Sequence, residues 1–177
     1  RKAQQTMSRK VKFSSNWKKA KARVQKIHSR IGNARRDYLH KTSTTISQNH
    51  ALVCIEDLQV RNMSKSSKGN SEDHGKMVKQ KSGLNRAILD QGWGEFRRQL
   101  EYKMTWQGGI LLAVPAHNTS RTCPCCGHVS KDNRKTQAKF ECVECDYVNH
   151  ADLVGAINIL ERGHRLLACG ESVQSDR

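Results

Sequence analysis

Ala51-Leu52-Val53-Cys54-Ile55 is a short, continuously apolar run that ends abruptly in Glu56-Asp57, and Ile110-Leu111-Leu112-Ala113-Val114 repeats the pattern before Pro115 stops it. Runs of this length and composition read as strands buried on both faces. Between them, residues 62–82 are polar and rich in Ser, Lys and Gly, the composition of a flexible loop. From Leu84 to Trp106 a helical spacing returns, with Leu84, Ile88, Phe96, Leu100 and Met104 on one side, and Gly108-Gly109 closes that helix. Helices alternating with apolar strands predict an α/β layer with the sheet in the middle.

Around this centre the chain is small and strongly basic. Its 177 residues suit one domain with a small appended module, and 32 Lys and Arg against 16 Asp and Glu leave a net charge of +16. No run approaches the ~18 consecutive apolar residues of a membrane span. The opening Arg1-Lys2-Ala3 is followed by no apolar stretch of the kind a secretory signal needs, and it lacks an initiator Met, which suits a portion of a longer coding region. Seven cysteines, odd in number and mostly clustered, argue against a secreted disulfide framework. These bounds point to an intracellular, metal-binding, nucleic-acid-associated protein.

The positive charge is concentrated. Residues 1–41 hold 14 Lys or Arg and a single acid, Asp37. Such a block repels itself unless a polyanion neutralises it, and phosphate backbones do so with counterion release; a solvated, partly disordered arm is the plainer alternative. The stretch also has order. Trp17, Ala20, Val24, Ile27, Ile31, Ala34 and Tyr38 recur at alternating spacings of 3 and 4, a narrow apolar seam on a helix from about Asn16 to His40. Lys18, Lys19, Lys21, Arg23, Lys26, Arg30, Arg35 and Arg36 occupy the other faces, so one side is expected to pack while the rest meets phosphates.

Cys123-Pro124-Cys125-Cys126-Gly127 and Cys142-Val143-Glu144-Cys145-Asp146 each contain a C-x-x-C, with fifteen residues between Cys126 and Cys142. Two residues between thiolates let both sulfurs converge on one ion at ~2.3 Å, and two such knuckles complete a tetrahedron, the pattern of a structural Zn²⁺ site. Cys123, Cys126, Cys142 and Cys145 are the expected ligands. Cys125 could replace a neighbour, His128 and His150 could also ligate, and a redox pair is the rival reading. Basic Arg121, Lys131, Arg134 and Lys135 flank the knuckles.

Two acids stand at element ends. Glu56 finishes an apolar strand, and Asp152 opens a short helix from Leu153 to Leu160, with Val154, Ile157 and Leu160 spaced for burial. Spacing alone allows a surface acid for Glu56 and a helix N-cap for Asp152. The chain after Gly163 is polar and gives little to read.

Taken together, these segments resemble one family. Cys-Ile-Glu-Asp-Leu (54–58), Trp93 to Lys103 (WGEFRRQLEYK), Asn118 to Gly127 (NTSRTCPCCG), Phe140 to Cys145 (FECVEC) and Asn149 to Leu160 (NHADLVGAINIL) are similar, in order, to segments of the TnpB (OrfB-type) proteins of bacterial insertion sequences. The resemblance runs from about residue 1 to 170. It implies a partial RuvC-like core of RNase H-type fold, with a long basic helix and an inserted four-cysteine zinc ribbon that binds target nucleic acid. The implied divisions are 1–50 for the basic helical region, 51–117 for a core segment, 118–148 for the ribbon and 149–177 for the last core segment and a polar tail. The implied activity is RNA-guided, Mg²⁺-dependent DNA cleavage in the bacterial cytoplasm, near the nucleoid, with DNA and a guide RNA as partners. Glu56 and Asp152 match the second and third acids of the catalytic triad, which in such sites hold two Mg²⁺ ions ~3.5–4 Å apart. Carboxylates suit that ion because Mg²⁺ is hard and prefers oxygen.

The chain departs from the family in one respect. The family's first catalytic Asp lies on an opening strand upstream of the basic helix, whereas Asp37, among arginines on the helix itself, is the sole acid before Glu56. As it stands the chain offers two thirds of a metal site. A non-catalytic zinc-ribbon nucleic-acid-binding protein, or a regulator that dimerises through the apolar seam, are the readings that compete with a nuclease.

Overall fold

The computed structural model describes residues 1–169, and the end of the expected polar tail, 170–177, lies outside them. The chain divides into two compact units, Arg1–Ile46 and Ser47 onward. In the first, α1 (Lys2–Ser8) is followed by a turn and then by α2 (Ser15–Asn49), ten residues longer than the seam predicted. Residues Lys2, Ala3 and Thr6 of α1 face Ala20, Arg23 and Ile27 of α2 across a shared cleft, and Val24 is buried. The rest of the seam does not pack as expected: Ile31 is 51% and Tyr38 66% exposed, while Leu39 and Ser43 are buried. The reason is geometric. A strict 3.5-residue repeat drifts ~20° per heptad on a straight helix, so three heptads turn the stripe by about 60°.

In the second unit β1 (Leu52–Glu56) and β2 (Ile110–Val114) form a parallel pair, with Cys54 opposite Leu112 and Glu56 opposite Val114. Neither strand is buried on both faces as expected: in β2 Leu112 and Val114 are buried but Ile110 is exposed, and β1 is half-buried along its length, because each has a hydrogen-bonded strand on one edge alone among the described residues. The segment between the strands is more ordered than its composition suggested. It contains α3 (Val60–Met63), a short bridge between Gly69 and His74, and two helices, α4 (Val78–Gln91) and α5 (Trp93–Trp106), where one was expected. Gly92 breaks them apart: its φ of +70° is a left-handed conformation that continues no helix. Leu100 and Met104 of α5 are buried, whereas Leu84 of α4 is 53% exposed.

The last helix, α6, runs from Ala151 to Ala168, well beyond the predicted Leu160. It approaches the sheet so closely at Gly163 that a methyl group there would meet Cys54 Sγ at 2.2 Å. Between β2 and α6 lies the cysteine-rich hairpin, with β3 (Lys139–Glu141) antiparallel to β4 (Val148–His150). Phe140, Cys123, Cys142, Ala151 and Val154 make one buried cluster with Tyr147 against it, so the hairpin and the start of α6 share a core.

A four-cysteine cage and an acid tied to its approach loop

The two knuckles are built alike. In the first, the Gly127 amide donates to the Cys123 carbonyl and the Cys123 amide to the His128 carbonyl; in the second, Asp146 donates to Cys142 and Cys142 to Tyr147. Each turn needs one left-handed residue, Gly127 (φ +77°) and Asp146 (φ +55°). The geometry brings all four expected sulfurs within 4.8 Å of one another, with Cys123 to Cys145 and Cys126 to Cys142 both at 3.6 Å. An ion bound at ~2.3 Å to four thiolates in a tetrahedron separates them by about 3.8 Å, so the cage fits a metal ion of that size. Burial opposes ionisation of Cys142, but the amides of Glu144 and Cys145 and the neighbouring thiols outweigh it and bring its pKa down to about 7. Cys125, His128 and His150 stand outside the cage, and His150 instead caps α6, its Nδ1 accepting from the Asp152 amide at 3.3 Å.

Asn133 is a residue that spacing did not single out. It is fully buried, donates from Nδ2 to the carbonyls of Arg121 (2.9 Å) and His128 (3.1 Å), and accepts from the Val143 amide at 3.0 Å. One side chain therefore stitches the first knuckle to the second.

Glu56 is held by the loop that leads into this hairpin. Thr119, itself buried, donates its hydroxyl to Glu56 Oε1 at 2.6 Å. The Thr119 carbonyl accepts from Asn158 of α6 at 2.7 Å, and Asn158 also reaches the Thr122 carbonyl at 2.8 Å. The strand acid, the approach loop and the final helix are thus joined through one threonine. Thr119 and Asn158 lie inside the family-like segments 118–127 and 149–160, but spacing assigns neither of them a role. Asp57 leaves on another course, in an ion pair with Arg97 at 2.5 Å. Beside Glu56 lies an apolar cleft of about 290 Å³, lined by Ile55, Leu58, Trp93, Phe96, Leu100 and Ile159 among others.

Asp152 sits in the first turn of α6 with its side chain 71% exposed and Arg134 of the hairpin 3.7 Å away. Among the described residues the four-cysteine cage is the one cluster of three or more potential ligands, so no third carboxylate joins Glu56 or Asp152. Asp37 is paired with Lys41 at 2.8 Å on the surface of α2, as its setting suggested. Of the expected nucleic-acid contacts, Lys18, Lys19, Arg23, Lys26, Arg30, Arg36 and Arg121 are exposed and Arg35 is half-buried. No helix among the described residues is long and apolar enough to cross a membrane.

Two family models match the chain. Residues 1–67 match the OrfB_IS605 model, described as "Probable transposase", and residues 93–159 match the Cas12f1-like TNB domain. Among curated proteins, "Putative RNA-guided DNA endonuclease InsQ" of Escherichia coli (strain K12) is 58% identical over 98% of this chain and 43% of its own length. A protein of the same description from Streptomyces pristinaespiralis is 37% identical over 99% of this chain and 40% of its own length. The chain thus spans about two fifths of the length of these relatives. A solved structure, a Cas12f1–sgRNA–target DNA complex, covers 82% of this chain with a TM-score of 0.50 at 20% identity, a likeness of fold over 36% of that chain. The two matching models cover the basic helix and the cysteine cage in their observed order, and the chain belongs to the TnpB family of OrfB-type (IS605) transposon proteins.

Proposed function

We propose that this chain carries two of the metal-binding carboxylates, Glu56 and Asp152, of an RNA-guided DNA endonuclease, together with a zinc-stabilised ribbon that binds nucleic acid. In this reading 51–117 and 149–177 are parts of a RuvC-like, RNase H-type core, 118–148 is the inserted ribbon, and 1–50 is a basic helical region for guide RNA or DNA. Action near the bacterial nucleoid goes with it. The observation that carries the reading is the Thr119 junction. Glu56 closes a parallel strand, and Asn158, on the same helix as Asp152, holds the residue that holds Glu56.

The donor sets divide by chemistry: four thiolates suit Zn²⁺, and carboxylate oxygens suit Mg²⁺. Mg²⁺, when bound, supplies an activated water and neutralises the leaving oxygen. Glu56 presents its free oxygen beside the Thr119 bond, and Asp152 presents its carboxylate beside Arg134. With no third carboxylate converging on either acid among the described residues, the chain by itself binds nucleic acid without cutting it.

The test joins this chain to the preceding segment of the 58%-identical relative, with a guide RNA and a matching plasmid. Guide-directed, Mg²⁺-dependent cleavage is expected from the joined protein and none from the chain alone. Glu56→Ala and Asp152→Ala should each abolish it. Equal cutting by Asp152→Ala would refute the assignment.

A further inference from the structure

At the start of α2 one aromatic ring, Phe13, stands exposed beside a half-buried one, Trp17. Phe13 is 66% exposed, and its ring meets Trp17 edge-on with centroids 5.4 Å apart. Two ammonium groups lie over these rings on flexible stems that an incoming base can displace toward its phosphates: Lys12 Nζ is 5.2 Å from the Phe13 centroid and Lys21 Nζ 5.3 Å from that of Trp17. Phe13 has a φ of +69°, a left-handed conformation costly for a bulky residue, and the turn is held by a Ser14-to-Val11 backbone bond and a Trp17-to-Ser14 cap. The turn therefore fixes an aromatic ring outward, against both the hydrophobic effect and backbone preference. Strain of this kind persists where the conformation serves a purpose.

We infer that Phe13 and Trp17, flanked by Lys12 and Lys21, form a stacking platform for an unpaired base of a single-stranded polynucleotide. Every base has a π-face, so a ring platform accepts any sequence, and lysines at its border meet the phosphates on either side. The occupant is argued from charge. The platform opens a stretch in which 14 of 41 residues are Lys or Arg, which matches a polyanion, while Phe13, Trp17 and Val11 are too few apolar side chains to anchor a lipid surface. Duplex nucleic acid keeps its bases stacked on each other and would use only the lysines. The inference deepens the proposed nucleic-acid role of residues 1–50 and is independent of cleavage.

The experiment uses the whole chain and fluorescence anisotropy with 20-nucleotide single-stranded RNA, single-stranded DNA and duplex DNA. Phe13→Ala/Trp17→Ala should weaken single-strand binding about tenfold or more, with duplex binding changed less than about twofold. A Trp17→Phe variant should retain the single-strand preference, and unchanged far-UV circular dichroism would show that α2 persists. A 2-aminopurine placed in the single strand should be quenched by wild-type protein and not by the double variant. The readout is binding in the absence of Mg²⁺ and involves no cleavage, so a failed nuclease assignment leaves this result unaffected. Equal losses for single strand and duplex, unaltered single-strand binding in the double variant, or preferential binding to vesicles with phosphatidylserine would each overturn the inference.

Discussion

Replacing Gly163 with alanine tests the contact that seats α6 on the sheet. The new Cβ would lie 2.2 Å from Cys54 Sγ, 3.2 Å from Cys54 Cβ and 3.7 Å from a Leu112 methyl. The first distance is about 1.5 Å inside contact, and the other two block an easy retreat. Overpacking of this kind costs ~1–3 kcal/mol, against ~1 kcal/mol recovered when alanine replaces glycine in a helix. A net loss of about 1–2 kcal/mol is expected for Gly163→Ala. Cys54→Ala alone removes one half-buried sulfur and should cost ~1 kcal/mol. Together the two changes relieve each other, since alanine at 54 removes the sulfur and leaves only the 3.2 Å approach, while the helix keeps its better residue. The double variant should come within ~1 kcal/mol of wild type, a favourable coupling of about 2 kcal/mol. Urea unfolding followed at 222 nm measures all four corners of the cycle, with equal slopes as the check that the same transition is compared. Simple additivity of the two single losses would show that α6 does not meet β1 at this point, and the Thr119 junction would lose its support.

Other outcomes follow from the same geometry. One metal ion per chain is expected in elemental analysis, with zinc the metal found, and Cys142→Ser/Cys145→Ser should lose it; full retention would refute the cage. Neutralising Arg30, Arg35 and Arg36 should reduce the slope of log affinity against log salt by up to about 2–3, whereas an unchanged slope would place the phosphate contacts elsewhere. Burial pushes the Cys54 thiol up from its ordinary value, so at pH 8 less of it is thiolate than of an ordinary cysteine, and iodoacetamide should label it well after exposed Cys125 and Cys169. Its labelling should accelerate as pH rises through the higher pKa; mass spectrometry showing Cys54 modified first would contradict the packing.

The two strands and the cage were legible in the sequence because each depends on local chemistry: a run of apolar residues stopped by acids or proline, and thiols at a spacing that suits a shared ion. Helix limits were less legible. Gly92 sits in a stretch whose apolar spacing continues on either side, and only its backbone conformation reveals that α4 and α5 are separate. The chain after Gly163 reads as polar but for Leu166-Leu167-Ala168, yet α6 continues through it, with Gly163 buried and Arg162 donating to the Pro115 carbonyl. Thr119, Asn133 and Asn158 were missed for a related reason. Their importance lies in partners 5 to 63 residues away, and a polar side chain does not advertise which carbonyl or carboxylate it will satisfy.

Asn133 has a consequence for how tightly the cage can hold its ion. Many small metal domains are coils until the metal arrives, and much of the intrinsic binding free energy is then consumed in ordering the chain. Here three hydrogen bonds from one buried amide, the paired β3 and β4, and the Phe140 cluster hold the knuckles facing each other by contacts that involve no metal. Preorganisation of that kind lowers the entropy lost on binding and leaves more of the interaction as affinity. A metal ion bound by the hairpin would thus lose less of its affinity to ordering the chain than in a domain shaped by its metal alone.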